Sequence, residues 1–258
     1  MVNKKDLISV GADKLADVLI EMYENNRDMR KQLDIVFAGL SGDPKKISSL
    51  IRKEITSLKR SSRFIDYYES RSFSESIDQI RLRILNDLLP ISPKAAMDLM
   101  LLFLETHEKT LNRVDDSNGD IGDVYRDACQ NLGSISEKSE TPLQEQVKLV
   151  FRCFTNNDYG IYDEIIHSFK NSLGEKGLNM LWSELENAEG KVREFPISIG
   201  LKEIADCKKD VDVYINACSI TGKPSTYEHL EIAKRLNEHW RGEEALKWLD
   251  EAEIKEGH

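Results

Sequence analysis

Apolar residues recur along the chain at positions i, i+3, i+4 and i+7, the spacing of one face of a helix. This spacing predicts a succession of amphipathic helices, with short breaks at glycine and proline. An alternating, strand-like pattern occurs in Phe195-Pro196-Ile197-Ser198-Ile199-Gly200. Because this stretch stands alone and contains a proline, we interpret it as a loop. The pattern as a whole predicts an all-α fold.

The most apolar stretch, residues 95–104, has one charge in ten residues and predicts a helix that is surrounded by other elements. It is too short to span a bilayer, which needs about 20 apolar residues. An acidic turn at residues 115–120 follows, and a second helical pattern then runs from Ile121 to Leu132. Residues 93–133 therefore predict a helical hairpin with a polar tip, around which we place an N-terminal helical domain, residues 1–133.

Residues 134–141 are polar and lack periodicity, so we predict a linker there and a C-terminal helical domain over residues 142–258. The stretch that begins at Thr226 fits a helix-turn-helix frame of about 34 residues, the length of a tetratricopeptide repeat. The apolar residues at the positions expected for such a repeat are Ala233, Leu236, Ala245, Leu249 and Ala252. The C-terminal domain is therefore predicted to be an α-solenoid that ends in a tetratricopeptide-like repeat.

Charge is divided unevenly over the 258 residues, whose formal net charge is −10. The first 93 residues carry a net charge of +2, and the remaining 165 carry −12. Such an acidic C-terminal part argues against non-specific nucleic-acid binding there, because phosphate contacts need clustered cations. The four cysteines lack paired short spacings, which is typical of reduced thiols, and Met1 begins an amphipathic stretch without the features of a signal peptide. We expect a cytoplasmic protein that is not associated with a membrane.

The helix predicted from Pro44 carries pairs of basic residues at seven-residue intervals, which places them in one stripe opposite its apolar face. This basic stripe consists of Lys45, Lys46, Arg52, Lys53, Lys59 and Arg60. It is a candidate partner-binding surface for a phosphate backbone or an acidic protein. The alternatives are a solvated helix face and a face that pairs with the acidic half of the same chain.

The acidic turn comprises Asp115, Asp116, Asp120 and Asp123. Asp116, Asn118 and Asp120 have the spacing of positions 1, 3 and 5 of a calcium-binding EF-hand loop, and Asp127 falls at position 12. Ile121, however, replaces the glycine that this loop needs. Carboxylates at the start of a helix also accept hydrogen bonds from its free amide groups. We prefer this second interpretation and assign no metal to the turn.

Glu164 and His167 form a Glu-x-x-His pattern, which di-iron helical bundles use twice, whereas this chain has it once. The sequence also lacks a nucleophile elbow, a phosphate-binding glycine loop and a His-Glu-x-x-His motif. We therefore assign no catalytic residue, no metal and no cofactor. An enzyme is not expected, although side chains from distant helices can still form a catalytic site.

Several motifs together resemble those of an uncharacterised bacterial family of all-helical proteins. They are Ile51-Arg52-Lys53, Lys59-Arg60-Ser61-Ser62, Phe64-Ile65, Arg113-Val114-Asp115-Asp116-Ser117, Gly119, Gly122-Asp123-Val124-Tyr125-Arg126, Ala233-Lys234-Arg235-Leu236-Asn237, Glu244-Ala245-Leu246 and Trp248-Leu249. The resemblance implies repeat-like helix pairs and a short or truncated member of a family of longer chains. It implies no reaction. The motif from Arg113 to Arg126 is either an ion-pair network that fixes the hairpin tip or an exposed recognition loop.

The leading functional hypothesis is a protein-interaction scaffold, in which a groove of the C-terminal helix pairs receives a peptide or a helix. The alternative is a nucleic-acid-associated factor that binds the phosphate backbone through the basic stripe. A third hypothesis is a metal-dependent enzyme that uses the acidic turn.

Overall fold

The computed structural model describes residues 3–188, 194–220 and 222–256. The helices are α1 (Lys4–Val10), α2 (Ala12–Asn25), α3 (Arg27–Ser41), α4 (Pro44–Arg60), α5 (Tyr67–Arg83), which continues into a π-helical turn (Ile84–Leu88), α6 (Pro93–Leu104), α7 (His107–Leu111), α8 (Asp120–Lys138), α9 (Leu143–Thr155), α10 (Ile165–Glu186), α11 (Glu194–Lys208), α12 (Val211–Ile220), α13 (Thr226–Glu238) and α14 (Gly242–Glu256). The described residues form no strand, and their one isolated bridge joins Ile65 to Val114. The predicted all-α fold is confirmed.

The central hairpin consists of α6 and α8, which pack against each other and are joined through the short helix α7. The α6 helix also contacts α4 and the π-helical turn, so it is covered on several sides, as its nearly uniform apolar sequence predicts. Phe103 of α6 is fully buried and stacks on Tyr125 of α8, with ring centroids 5.0 Å apart. The hairpin therefore lies in the core of the molecule.

The α4 helix begins where the sequence predicts, because the Asp43 side chain accepts a hydrogen bond from the Lys45 amide at 2.9 Å and Pro44 occupies the first turn. Its apolar face packs against α6 and is buried. The buried residues of this face are Ile47, Ile51, Ile55 and Leu58. The opposite face is left for the basic stripe.

One continuous core extends from Ala38 to Ala217 and joins α4–α6 to α8–α11. The α8 and α10 helices approach closely at Gly133, where a Cβ atom would lie only 1.7 Å from the backbone oxygen of Ser168. A smaller cluster, between Ala205 and Ala245, joins α11 and α12 to the C-terminal pair α13–α14. The proposed division into residues 1–133 and 142–258 stays a prediction.

Two sequence-based predictions of loops are wrong. The linker predicted at residues 134–141 is helical as far as Lys138, because Ile135 and Ser136 continue the buried face of α8. Residues 195–200, predicted as a loop, lie in α11. Helix α11 tolerates its proline because the first helical turn has no intrahelical acceptor for the missing amide. Its buried positions Ile197, Leu201 and Ile204 then recur at helical spacing.

The N-terminal helices are more exposed than their amphipathic patterns predict. Neither α1 nor α2 has a buried residue, and Val36 and Phe37 of α3 are each more than half exposed. Asn26 separates α2 from α3, although the apolar spacing continues across it. Among the described residues, no helix is long and apolar enough to cross a membrane.

Candidate functional site

The structure brings two distant sequence motifs together beside the end of the basic stripe. The Ile65 amide donates a hydrogen bond to the Arg113 oxygen at 3.0 Å, and the Asp115 amide donates one to the Ile65 oxygen at 2.9 Å. The Arg113 side chain returns a third bond, from Nη1 to the Arg63 oxygen at 2.8 Å. The chain between α4 and α5 is thereby fixed to the acidic turn.

Arg113 is 8% exposed, and its guanidinium group lies 5.1 Å from the centre of the Phe73 ring. Two of its nitrogens, Nε and Nη2, make no hydrogen bond. No carboxylate of the described residues forms an ion pair with Arg113, and its burial lowers its pKa from the ordinary value. Of the two interpretations of the motif from Arg113 to Arg126, the ion-pair network therefore does not extend to Arg113 among the described contacts, although Arg126 pairs with Asp123.

The carboxylates of the acidic turn are occupied in shaping the turn and the start of α8. Asp116 accepts hydrogen bonds from the amides of Ile121 and Gly122, at 2.9 and 2.8 Å. The remaining contacts of this turn are those of Asp115 with Ser117, Asp120 with Asn118 and Asp123 with Arg126. These bonds agree with the helix-start interpretation, in which anions meet the positive end of the helix dipole.

The calcium-loop pattern is not assembled as one site. Asp127, which would supply the last ligand, points toward α5, where its carboxylate lies 3.6 Å from Nη2 of Arg81. Within the described part of the chain, no three His, Cys, Asp or Glu side chains are grouped so that they could hold a metal ion.

The basic stripe lies on the outer face of α4. Five of its six side chains form no ion pair with a described residue, whereas Lys59 lies 3.5 Å from Glu105, in a pair that is more than half exposed on both sides. All six residues are exposed: Lys45, Lys46, Arg52, Lys53, Lys59 and Arg60. Thus the acidic half of the chain does not cover the described stripe, and it remains accessible to a partner.

Comparison with known proteins supplies a family but no activity. The sequence model of one family matches residues 1–196 and 183–258, two overlapping stretches that together span the chain. Its description is "Family of unknown function (DUF6880)". The chain belongs to this family. No curated protein and no solved structure matches it. Membership of DUF6880 confirms the resemblance to an uncharacterised family, whereas bacterial origin and tetratricopeptide-like repeats stay predictions.

The C-terminal pair of this DUF6880 chain carries an apolar groove between α13 and α14. The residues that join the two helices are small or fully buried, including Ala233, Leu236 and Ala245. The groove has a volume of about 510 Å³, and Ala233 and Ala245 of this seam form part of its lining. Its apolar rim is formed by Leu230, Leu246 and Leu249, whose exposed fractions are 49%, 61% and 37%. Exposed leucines grouped around a groove are a typical feature of sites that bind a helix.

Polar contacts hold this helix pair against the rest of the chain. Arg235 of α13 donates two hydrogen bonds to the Asp206 carboxylate of α11, at 2.7 and 2.8 Å, and its guanidinium group lies over the Tyr214 ring. Lys202 of α11 also reaches Glu228 of α13 at 2.8 Å. Bidentate pairing between an arginine and a carboxylate fixes the orientation of the two side chains as well as their distance. The groove is therefore presented in a defined direction.

The Glu-x-x-His pattern takes part in a contact that the sequence did not reveal. His167 of α10 faces Glu203 of α11, with 3.9 Å between Nδ1 and Oε2. The Oε2 atom is buried and makes no hydrogen bond. Burial, followed by the neighbouring carboxylates Glu164, Asp163 and Asp206, raises the pKa of Glu203 to about 8. Glu164, the other residue of the Glu-x-x-His pattern, is exposed, so Glu164 and His167 do not form a common metal site in the described structure.

We expect Glu203→Gln to stabilise the protein in alkaline solution. Because the folded-state pKa of Glu203, about 8, lies above its ordinary 4.5, the folded protein binds one proton more than the unfolded chain between these values. The free energy of unfolding therefore falls as the pH rises through this window. The variant removes this loss, and its melting temperature near pH 8 should exceed that of the wild type by roughly 2–6 °C.

Circular dichroism melts at about pH 5 and pH 8 measure this difference, which should be larger at the higher pH. Glu184→Gln, at an exposed position of α10, is the matched control and should follow the wild type at both values. An equal shift at the two pH values would show that the substitution acts through packing rather than through protonation.

Proposed function

We propose that the protein is a cytoplasmic interaction scaffold whose C-terminal helix pair acts as a tetratricopeptide-like unit and receives an amphipathic helix. The observation that carries this proposal is the groove between α13 and α14, in which three leucines stay exposed while the seam beneath them is closed. A helix that docks there would cover these leucines with its own apolar face. The four cysteines, all unpaired, agree with a reducing compartment.

The charge around the groove favours a partner helix with basic flanks. Residues 226–252 contain seven acidic and four basic side chains. Two of the basic ones, Arg235 and Arg241, already pair with carboxylates of the same protein. Three of the acidic ones, Glu228, Glu231 and Glu244, are paired as well, and Lys234 lines the groove itself, so the excess of negative charge lies around the helix pair rather than in the groove. Such charge raises the rate of association with a basic partner more than the final affinity.

The experiment is a comparison of three full-length baits in native cells by quantitative mass spectrometry. Leu246→Glu places a charge on the rim of the groove at a position that is 61% exposed, so the fold is preserved. Tyr227→Glu is the control, because Tyr227 is 70% exposed on α13 but does not line the groove. A partner that Leu246→Glu loses by about tenfold or more, and that the control retains, supports the proposal.

If every partner of the wild type is retained by Leu246→Glu, the groove is not the site of interaction. Binding lost equally from both variants would also count against the groove, since Tyr227 lies outside it.

The second candidate is a nucleic-acid-associated factor, and the observation that favours it is the exposure of all six side chains of the basic stripe. Fluorescence anisotropy with a duplex should then give an affinity that falls linearly on a log–log plot against salt. Reversal of Lys46, Lys53 and Arg60 to glutamate should abolish this binding. Reversal of Lys94, Lys138 and Lys148, which are exposed elsewhere, is the charge-matched control. Salt-independent binding, or equal loss from both triple variants, would overturn this candidate.

A further inference from the structure

A cavity of about 580 Å³ lies between α3, α4 and α5 and is bordered by Arg113. Its lining is mixed: Leu50 from α4 and Phe73 and Ile77 from α5 supply apolar surface, beside charged and hydroxyl side chains. This volume lies within the range of small-molecule sites, which are mostly apolar and contain a few polar groups that orient the ligand. The charged side chains in this lining include both cations and carboxylates, and their contacts decide which charge a ligand would meet.

The positive charge of Arg113 is not neutralised within the described protein. Its single hydrogen bond goes to the Arg63 backbone oxygen, and the Phe73 ring offers a weaker cation–π contact. A guanidinium group stays protonated in proteins, and a buried cation without an anionic partner is unfavourable. Nε and Nη2 are buried and Arg113 lines the cavity, so its charge acts on a ligand there at a lower effective dielectric than in bulk water.

Two carboxylates border the cavity, and one of them is paired with a cation. Glu54 accepts a hydrogen bond from Nη1 of Arg83 at 2.6 Å, and Asp34 accepts one from the Tyr23 hydroxyl at 2.9 Å. Lys53, by contrast, is exposed at the mouth of the cavity and has no ion pair among the described contacts. Asp34 keeps its negative charge, because its partner is a neutral hydroxyl, but the lining cations are three: Arg27, Lys53 and Arg113. The charged lining residues therefore favour an anion placed toward Lys53 and Arg113.

We propose that this cavity binds an organic anion with an apolar body, whose acidic group lies toward Arg113 and Lys53 and whose body lies along Leu50, Phe73 and Ile77. A carboxylate and a phosphate ester share this chemistry, because both are oxyanions that lysine and arginine bind. The site is separate from the groove between α13 and α14, so its occupation does not depend on the scaffold function.

Isothermal titration of the full chain with four probes tests the proposal. The expected result is saturable binding of octanoate or octyl phosphate, and the stronger of the two identifies the acidic group. Octylamine, which has the same body and the opposite charge, should not bind. Inorganic phosphate should bind at least about tenfold more weakly than octyl phosphate, because it lacks the apolar body. No saturable binding of either octyl anion, or equal binding of octylamine, would overturn the proposal.

Variants then locate the binding. Arg113→Gln should weaken the binding of the better anion by about tenfold or more. Because Arg113 is buried and this variant can lose its fold, Ser76→Trp provides a second test from an exposed position that lines the cavity. Ser76→Trp fills the cavity and should abolish binding, whereas Ser72→Trp, exposed on the same helix but outside the lining, should retain it. Unchanged affinity in Ser76→Trp would show that the anion binds elsewhere.

Discussion

Replacement of Gly133 by alanine is expected to lower the free energy of unfolding by about 3 kcal/mol, a large effect for a single methyl group. The added Cβ atom would lie 1.7 Å from the backbone oxygen of Ser168 and 2.4 Å from its carbonyl carbon. Backbone atoms cannot rotate away as a side chain can, so α8 and α10 must separate. Because the contact between these two helices lies within the main core, their separation also weakens the packing of the side chains around it.

Urea unfolding, followed by circular dichroism, measures this loss. Gln130→Ala is the matched control, since Gln130 lies on the exposed face of the same helix and the change adds no atom to the interface. We expect the control to stay within about 0.5 kcal/mol of the wild type. A Gly133→Ala variant as stable as the control would mean that α8 and α10 can move apart freely, and the close approach would not be a constraint on the fold.

Features set by neighbours in sequence were well predicted. The start of α4 follows from Asp43 and Pro44, which act within one helical turn, and its buried face follows from the spacing of its isoleucines. The sequence predicts α6, which contains Phe103, because almost every position in this helix is apolar. These local rules apply without knowledge of the tertiary contacts of the helix. They also place the basic stripe, because exposure on one face follows from burial on the other.

Features that depend on distant segments were not predictable. Polar composition suggested a linker after Gly133, but a buried serine such as Ser136 is tolerated where a neighbouring helix covers it. The same limit applies to candidate sites. Arg113 was grouped with the nearby aspartates, whereas the structure pairs it with Arg63, 50 residues away, and places it against Phe73. Glu203 carried no signal in the sequence, because its shifted pKa arises from burial against α10.

The exposed apolar surfaces also depend on tertiary contacts that the sequence pattern does not predict. An amphipathic pattern predicts that one face of a helix will be covered, but it does not identify the element that covers it. In α4 the cover is α6, from the same chain. The α2 helix contacts α3, but Val18, Leu19 and Met22 on its apolar face remain 50%, 40% and 41% exposed. At Leu246 the uncovered face borders a groove, and this geometry is what makes the C-terminal pair a candidate for a partner.

Phe103→Ala is expected to be the most destabilising truncation in the central hairpin, with a loss of about 3–5 kcal/mol in the free energy of unfolding. Phe103 is fully buried and stacks on Tyr125 at 5.0 Å, with 19° between the ring planes. The Tyr125 hydroxyl is held by Thr106 and Thr110, at 2.8 and 3.0 Å, so its ring is not free to move into the space that the truncation leaves. The cavity therefore persists, and both the lost burial and the unfilled volume reduce stability.

The control for this truncation is Asp98→Ala, which removes an exposed side chain from the same helix and should change stability by less than about 0.5 kcal/mol. Guanidinium unfolding of the two variants, compared at equal slope, measures the difference. A loss below about 1.5 kcal/mol for Phe103→Ala would mean that the hairpin repacks around the missing ring. In that case the buried hydrogen bonds of Tyr125 would not fix the position of its ring in the hairpin.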